Sequence, residues 1–135
     1  MASTLKINTL TGVTTAGSIA VTGEGNSTTT NLQQGLAKVW NNFNGTGTVA
    51  IEDSFNVASI TDHGTGIYST TFSNAMNTER MAASGFARVS GSYGCVMAET
   101  NSTFTTTSFR HGTVNASISP ADALIVNISI LGDLA

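Results

Sequence analysis

A chain of 135 residues with 10% charged side chains and a net charge of −3 is one domain's worth of polypeptide, solvated by neutral polar groups rather than by ions. Five Lys plus Arg residues spread from Lys6 to Arg110 leave no basic patch for a phosphate backbone, which speaks against nucleic acid as a partner. No run approaches the ~18 apolar residues of a membrane span, no basic and apolar leader pattern opens the chain, and the single Cys95 has no partner for an intramolecular disulfide and reads as a small buried apolar residue.

In chain order, the first segment carries two short β-like runs, Leu5 to Leu10 and Ser18 to Thr22, with single apolar residues separated by Thr, Gly and Asn. Such runs bury too little to order themselves. Residues 1–30 therefore read as an extended N-terminal arm that needs another surface to cover it. Leu32, Leu36, Val39, Trp40 and Phe43 begin at helical spacing with Asn31 available as a cap, which predicts one short helix from Asn31 to Leu36 followed by a strand from Lys38 to Asn44. Asn44-Gly45-Thr46-Gly47 is a hairpin signal into Thr48 to Ile51. The apolar phase changes between Phe55 and Val57, which predicts a bulge or twist. Asp62-His63-Gly64-Thr65-Gly66 then turns the chain into Ile67 to Ser73, a second hairpin.

The polar stretch Ser73 to Arg80 reads as a turn, and Met81 to Ser90 as a strand of small residues whose Gly85 implies the close approach of another backbone. Cys95 to Ala98 and Ser102 to Phe109 look like a further pair, followed by a turn at His111-Gly112 and a strand from Val114 to Ile118. After Ser119-Pro120-Ala121-Asp122, the most apolar strand, Leu124 to Leu131, belongs at the centre of a sandwich or at a subunit interface. Strands spaced in this way predict an all-β protein, with residues 31–135 forming an antiparallel, jelly-roll-like β-sandwich. Its candidate core or interface residues are Trp40, Phe43, Phe55, Val57, Ile60, Tyr68, Phe72, Val126, Ile128 and Ile130, while His63, Tyr93 and His111 are candidate exposed-loop binding residues.

No catalytic arrangement emerges. Asp62-His63 lacks a nucleophile elbow, the Gly-rich pieces lack a phosphate-cradle frame, and the adjacent Glu52 and Asp53 point to opposite faces of a strand. A trimer could gather three copies of one histidine as metal ligands on its axis, but a glycine-flanked turn explains both histidines more simply. Neither an enzymatic role nor a cofactor or metal is expected.

One stretch carries more than periodicity. KVWNNFNGTGTVAIEDSFNVASITDHGTGIYSTTFSNAM, residues 38–76, resembles a repeating module of tail-fibre-like proteins from tailed bacteriophages of the marine type, through Trp40, Phe43, Asn44, Gly45, Ser54, Phe55, Asn56, Val57, Ile60, Asp62, Gly64, Gly66, Tyr68 and Phe72. His63 departs from it, standing where that family often has Asn. The leader TLKINTLTGVTTAGSIAV and the terminal LIVNISILGD are similar to the corresponding pieces of such proteins. The resemblance implies a virion structural protein assembled in the host cytoplasm, a homotrimeric subunit of a tail-fibre or spike-like appendage. Residues 1–30 would dock to other virion proteins and the β domain would be exposed. Its alternatives are a capsid decoration or head-fibre protein, and a tip that binds a host-surface receptor or glycan.

Overall fold

The computed structural model describes residues 4–12, 19–23, 28–98 and 103–135. Its contacts divide the chain into two compact units, Met1–Leu36 and Ala37–Ala135. In the first, strands β1 (Ala20–Thr22) and β2 (Thr29–Asn31) pair antiparallel, and a single helical turn, α1 (Leu32–Gly35), follows. Asn31 keeps an extended backbone while its side-chain oxygen accepts the Gln34 N–H at 3.1 Å, satisfying one of the free donors at the start of the turn. Leu36 returns to extended backbone and ends it. The expected run Ser18 to Thr22 corresponds to β1, with Ser18 outside the described residues. The run Leu5 to Leu10 is not a strand, since its isolated apolar residues gain too little burial to offset the cost of ordering.

The second unit holds β3 (Ala37–Asn44), β4 (Ala50–Phe55), β5 (Val57–Gly64), β6 (Ile67–Phe72), β7 (Ala82–Val89), β8 (Ser92–Met97), β9 (Phe104–Thr105), β10 (Ser108–Asn115) and β11 (Ile125–Leu131). They form one antiparallel sheet in the order β4-β3-β11-β7-β8-β10-β6-β5, with β9 on β10. The all-β antiparallel class with one short helix is thus as the sequence predicts. A single nearly closed, barrel-like sheet supplies both walls of the sandwich: it curls until β3 meets β6, where Phe43 and Tyr68 pack edge to face with centroids 5.1 Å apart. Val39, Phe43, Tyr68, Phe72, Met76, Phe109, Val126, Ile128 and Ile130 are all buried between the walls. Val57 and Ile60 pack partly buried against them.

Local chemistry sets the hairpins. Asn44 Oδ1 accepts the Thr46 N–H at 2.9 Å and the Thr46 hydroxyl at 2.7 Å, which folds the β3–β4 turn, and Gly47 takes φ +64°. The phase change after Phe55 is a corner rather than a bulge within one strand, because Asn56 adopts φ +58° between β4 and β5. Its amide donates to the Lys38 and Asn74 carbonyls, each at 3.1 Å, and its oxygen accepts the Asn74 N–H at 2.7 Å. Gly85 lies where a Cβ would collide with the Asn127 carbonyl, so its close neighbour is β11 of the same sheet.

Several expectations are corrected. The strand expected from Ser102 to Phe109 is interrupted at Thr106-Thr107, because Thr105 Oγ1 accepts the Thr107 and Ser108 N–H groups and turns the chain. No turn occurs at His111-Gly112; both lie inside β10, with Gly112 buried and paired to Ile67 and Met97. The strand expected to reach Ile118 stops at Asn115, whose side chain accepts the Ser117 and Ser119 N–H groups while Ile118 takes φ +58°. Trp40 and Phe55 are not core residues. With Val39, Asn41 and Phe43 buried, alternation turns Trp40 outward, and Phe55 is its register partner on the edge strand β4, so both share the exposed face. Cys95 is exposed on β8 rather than buried.

Candidate functional site

Three of the motif residues, Gly45, Gly66 and Tyr68, meet in a structural knot at one end of the sheet. The Tyr68 hydroxyl lies 2.9 Å from the Gly45 carbonyl and 3.0 Å from Asp122 Oδ1, and the same carboxylate oxygen accepts the Gly66 N–H at 2.7 Å. Gly45 N–H donates to the Ala123 carbonyl at 2.9 Å. A Cβ at Gly45 would lie 2.5 Å from the Tyr68 hydroxyl, and Gly66 combines φ +68° with a backbone packed against Thr113 and Ala121. Burial, reinforced by the Asp122 carboxylate, pushes the Tyr68 phenol well above its usual range and keeps it a neutral donor. These residues hold two hairpins and the β10–β11 connection together, and they carry no reactive group.

A second cluster lies in the core. Asn41 Nδ2 donates to Thr70 Oγ1 at 3.0 Å, and that hydroxyl lies 3.3 Å from His111 Nε2, linking β3, β6 and β10. His111 is fully buried against Phe43, Tyr68 and Phe109, with centroids 6.0, 6.0 and 5.3 Å away. Burial pushes its imidazole down to about 4. Thr70 Oγ1 accepts from Asn41 and faces Nε2 of the neutral ring, and the ring's tautomer decides which of the two supplies the proton between them. His111 Nδ1 and Asn41 Oδ1 are buried without hydrogen-bond partners. The exposed-loop reading of His111 is therefore overturned. The glycine beside it, Gly112, is a buried, paired residue of β10 and not part of a turn.

His63 and Tyr93 are exposed, but they lie on strands β5 and β8 rather than in loops, and the sheet does not bring them together with His111. His63 sits at the end of β5 with Nε2 2.9 Å from Ser69 Oγ, the spacing of a nucleophile and its base. The adjacent Asp62 directs its Oδ1 to the Gly64 N–H at 2.8 Å. Tyr93, 88% exposed, stands opposite Arg88 at the start of β8. Among the described residues no group of three or more His, Cys, Asp or Glu could hold a metal ion, and no helix is long and apolar enough to cross a membrane.

A surface that gathers distant side chains is the outer face of β3, β11 and β7. Trp40 and Ser84 flank Ser129 in one row, and Asn42 and Phe86 flank Asn127 in the next. Short side chains at Ser84, Asn127 and Ser129 leave a shallow, open depression between the two aromatic rings. Comparison with family models, curated proteins and solved structures finds no match. Of the depression's residues, only Trp40 stood out in the sequence. Asn127 and Ser129 interrupt an otherwise apolar strand, which is a signal of a polar outer face; Phe86 has no local signal at all, since pairing across 41 residues places it beside Asn127.

Proposed function

We propose that this chain is a virion structural protein, a homotrimeric subunit of a tail-fibre or spike-like appendage of a tailed bacteriophage, which works by packing and display rather than by bond chemistry. The observation that carries the reading is the contrast between the two units. Residues 37–135 own a complete core, whereas no described residue of the first unit is buried, and Leu5, Ile7, Leu10, Val21 and Leu36 are each half or more exposed. Apolar side chains left in water favour a covering surface by roughly 25 cal/mol per Å² buried. A leader of this kind anchors a displayed domain to other virion proteins. The resemblance of residues 38–76 to the fibre module supports the assignment, and the structural roles of Asn44, Gly45, Asn56, Gly66 and Tyr68 agree with a module defined by shape.

Two measurements test it. Light scattering on the full chain at micromolar concentration is expected to give three times the monomer mass; a stable monomer overturns the oligomeric part. In assembled particles, a variant lacking residues 1–30 is expected to keep the β-rich circular dichroism of the intact chain and to be missing from the virion. Undiminished incorporation without the leader overturns the anchoring role, and copies spread over the head shell would place the protein among capsid decorations instead.

A further inference from the structure

We infer that the outer face of β4, β3, β11, β7 and β8 is the surface through which copies of this chain meet, the β4–β3 half of one copy lying on the β7–β8 half of the next. This surface gives the assembly proposed above its contact, and rests on that proposal for the number of copies alone. Its first support is the placement of apolar groups. Eight large apolar side chains of the second unit are exposed among the described residues, and six of them, Trp40, Phe55, Phe86, Tyr93, Met97 and Leu131, belong to outward positions of these five strands. The other two are Ile51 and Ile118, and none lies on β5, β6 or β10. Scattered apolar residues are ordinary on any surface, whereas a contiguous group confined to one face marks a contact with another molecule.

The second support is a self-complementary order. Trp40 and Phe55 are register partners on β3 and β4, and Phe86 and Tyr93 are diagonal neighbours across β7 and β8, where Tyr93 pairs with Arg88. Between the two aromatic pairs runs β11 with Asn127 and Ser129, short side chains that together with Ser84 leave the depression. Each half thus presents a ridge of two rings beside a trough, so the ridge of one copy seats in the trough of the next and ring meets ring. Aromatic side chains packed in this way dominate contacts between proteins. The third is charge, which selects a copy over an unrelated partner. Asp53 stands two residues from Phe55 on β4 and Arg88 two residues from Phe86 on β7, and they are the two charged residues in the rows that hold the four rings. Three strand spacings separate them, roughly 14 Å, too far for an ion pair within one copy. Laying one half on the other brings Trp40 and Phe55 to Phe86 and Tyr93, and Asp53 to Arg88, in the same movement. The low net charge of the chain, −3, opposes that approach only weakly.

Sedimentation and light scattering of the full-length chain over a concentration series give the association midpoint of the natural protein and of four variants. Phe86→Arg, which sets a charge in the ridge, is expected to raise the midpoint roughly a hundredfold, and Asp53→Arg and Arg88→Asp each about fivefold. The chain carrying both reversals is expected to return to the natural midpoint, since the two charges still face each other with signs exchanged. Far-UV circular dichroism is expected to match the natural chain in all four, because these side chains lie on the outer face. Association unchanged in Phe86→Arg overturns the surface and leaves the assembly of copies standing. Single reversals that change nothing, or that the double reversal does not repair, overturn the pairing of the two halves. A mass of two copies with every variant behaving as expected overturns the count of three and keeps the surface, whereas a natural chain that stays monomeric overturns both.

Discussion

The same sheet contains two contrasting regions. Where β3, β6 and β10 converge, every second residue is buried, and even polar groups such as Asn41, Thr70, His111 and Thr113 are enclosed. Along β7 and β8 the alternation continues, yet Ala87 is the single buried residue among the described ones, and Phe86, Tyr93 and Met97 face water. Both regions are built of antiparallel pairs. What differs is whether another strand lies across the face, so burial here is a property of how the sheet curls and not of the strand's own composition. Stability is concentrated in the first region, and the second leaves its side chains in water.

Substitutions should break that contrast in a graded way. Phe43→Ala, which empties the point where β3 meets β6, is expected to cost about 4 kcal/mol, read as a fall in the denaturant midpoint. Next in size is the effect of acid on His111. Its folded-state value of about 4 lies below the ordinary 6.5, so the unfolded chain binds the proton first. The neutral ring's contribution is fully present above about pH 6.5 and is lost as pH falls toward 4, a loss of about 3 kcal/mol. Comparing unfolding curves of the natural chain and His111→Leu across that window should show the steeper pH dependence in the natural chain alone. Tyr68→Phe removes the donor at the knot while keeping the ring in place, and an expected loss of about 1 to 2 kcal/mol should appear as a lower melting temperature. Smallest of all, Phe86→Ala should move stability by no more than about 0.5 kcal/mol, although it deletes the same ring as Phe43→Ala.

How far the sequence foretold this division depends on which signal is considered. The patterns along Lys38 to Asn44, Ile67 to Ser73 and Leu124 to Leu131 placed β3, β6 and β11 with their ends one residue off at most, and Asn44-Gly45 and Asp62 to Gly66 announced their turns. Alternation distinguishes two faces but does not say which is inside. Trp40 and Phe43, three residues apart, cannot share a face of one strand, and only the burial of Val39 and Asn41 decides between them. His111 was misplaced because glycine beside a polar residue is the same local signal for a turn and for a tightly packed strand. Met76 is buried within a polar stretch, through a bridge to Leu134 far along the chain. The depression on the outer face was invisible for the same reason: strand pairing, and not sequence proximity, sets Phe86 beside Asn127.

Asn56 has a further consequence. It joins β4 to β5, the first and the last strands in the hydrogen-bonded order of the sheet, so one residue spans the seam between the two free edges. An opening that starts at either edge strains the corner and reaches the other edge through a single peptide. Amide hydrogens of β4 and β5 should therefore exchange together, with nearly equal protection, instead of fraying independently as the outer strands of an open sheet do. Asn56→Ala, which removes the hydrogen bonds to Lys38 and Asn74 that pin this corner, should uncouple them, and the chain would then have two separate edges in place of one tethered seam.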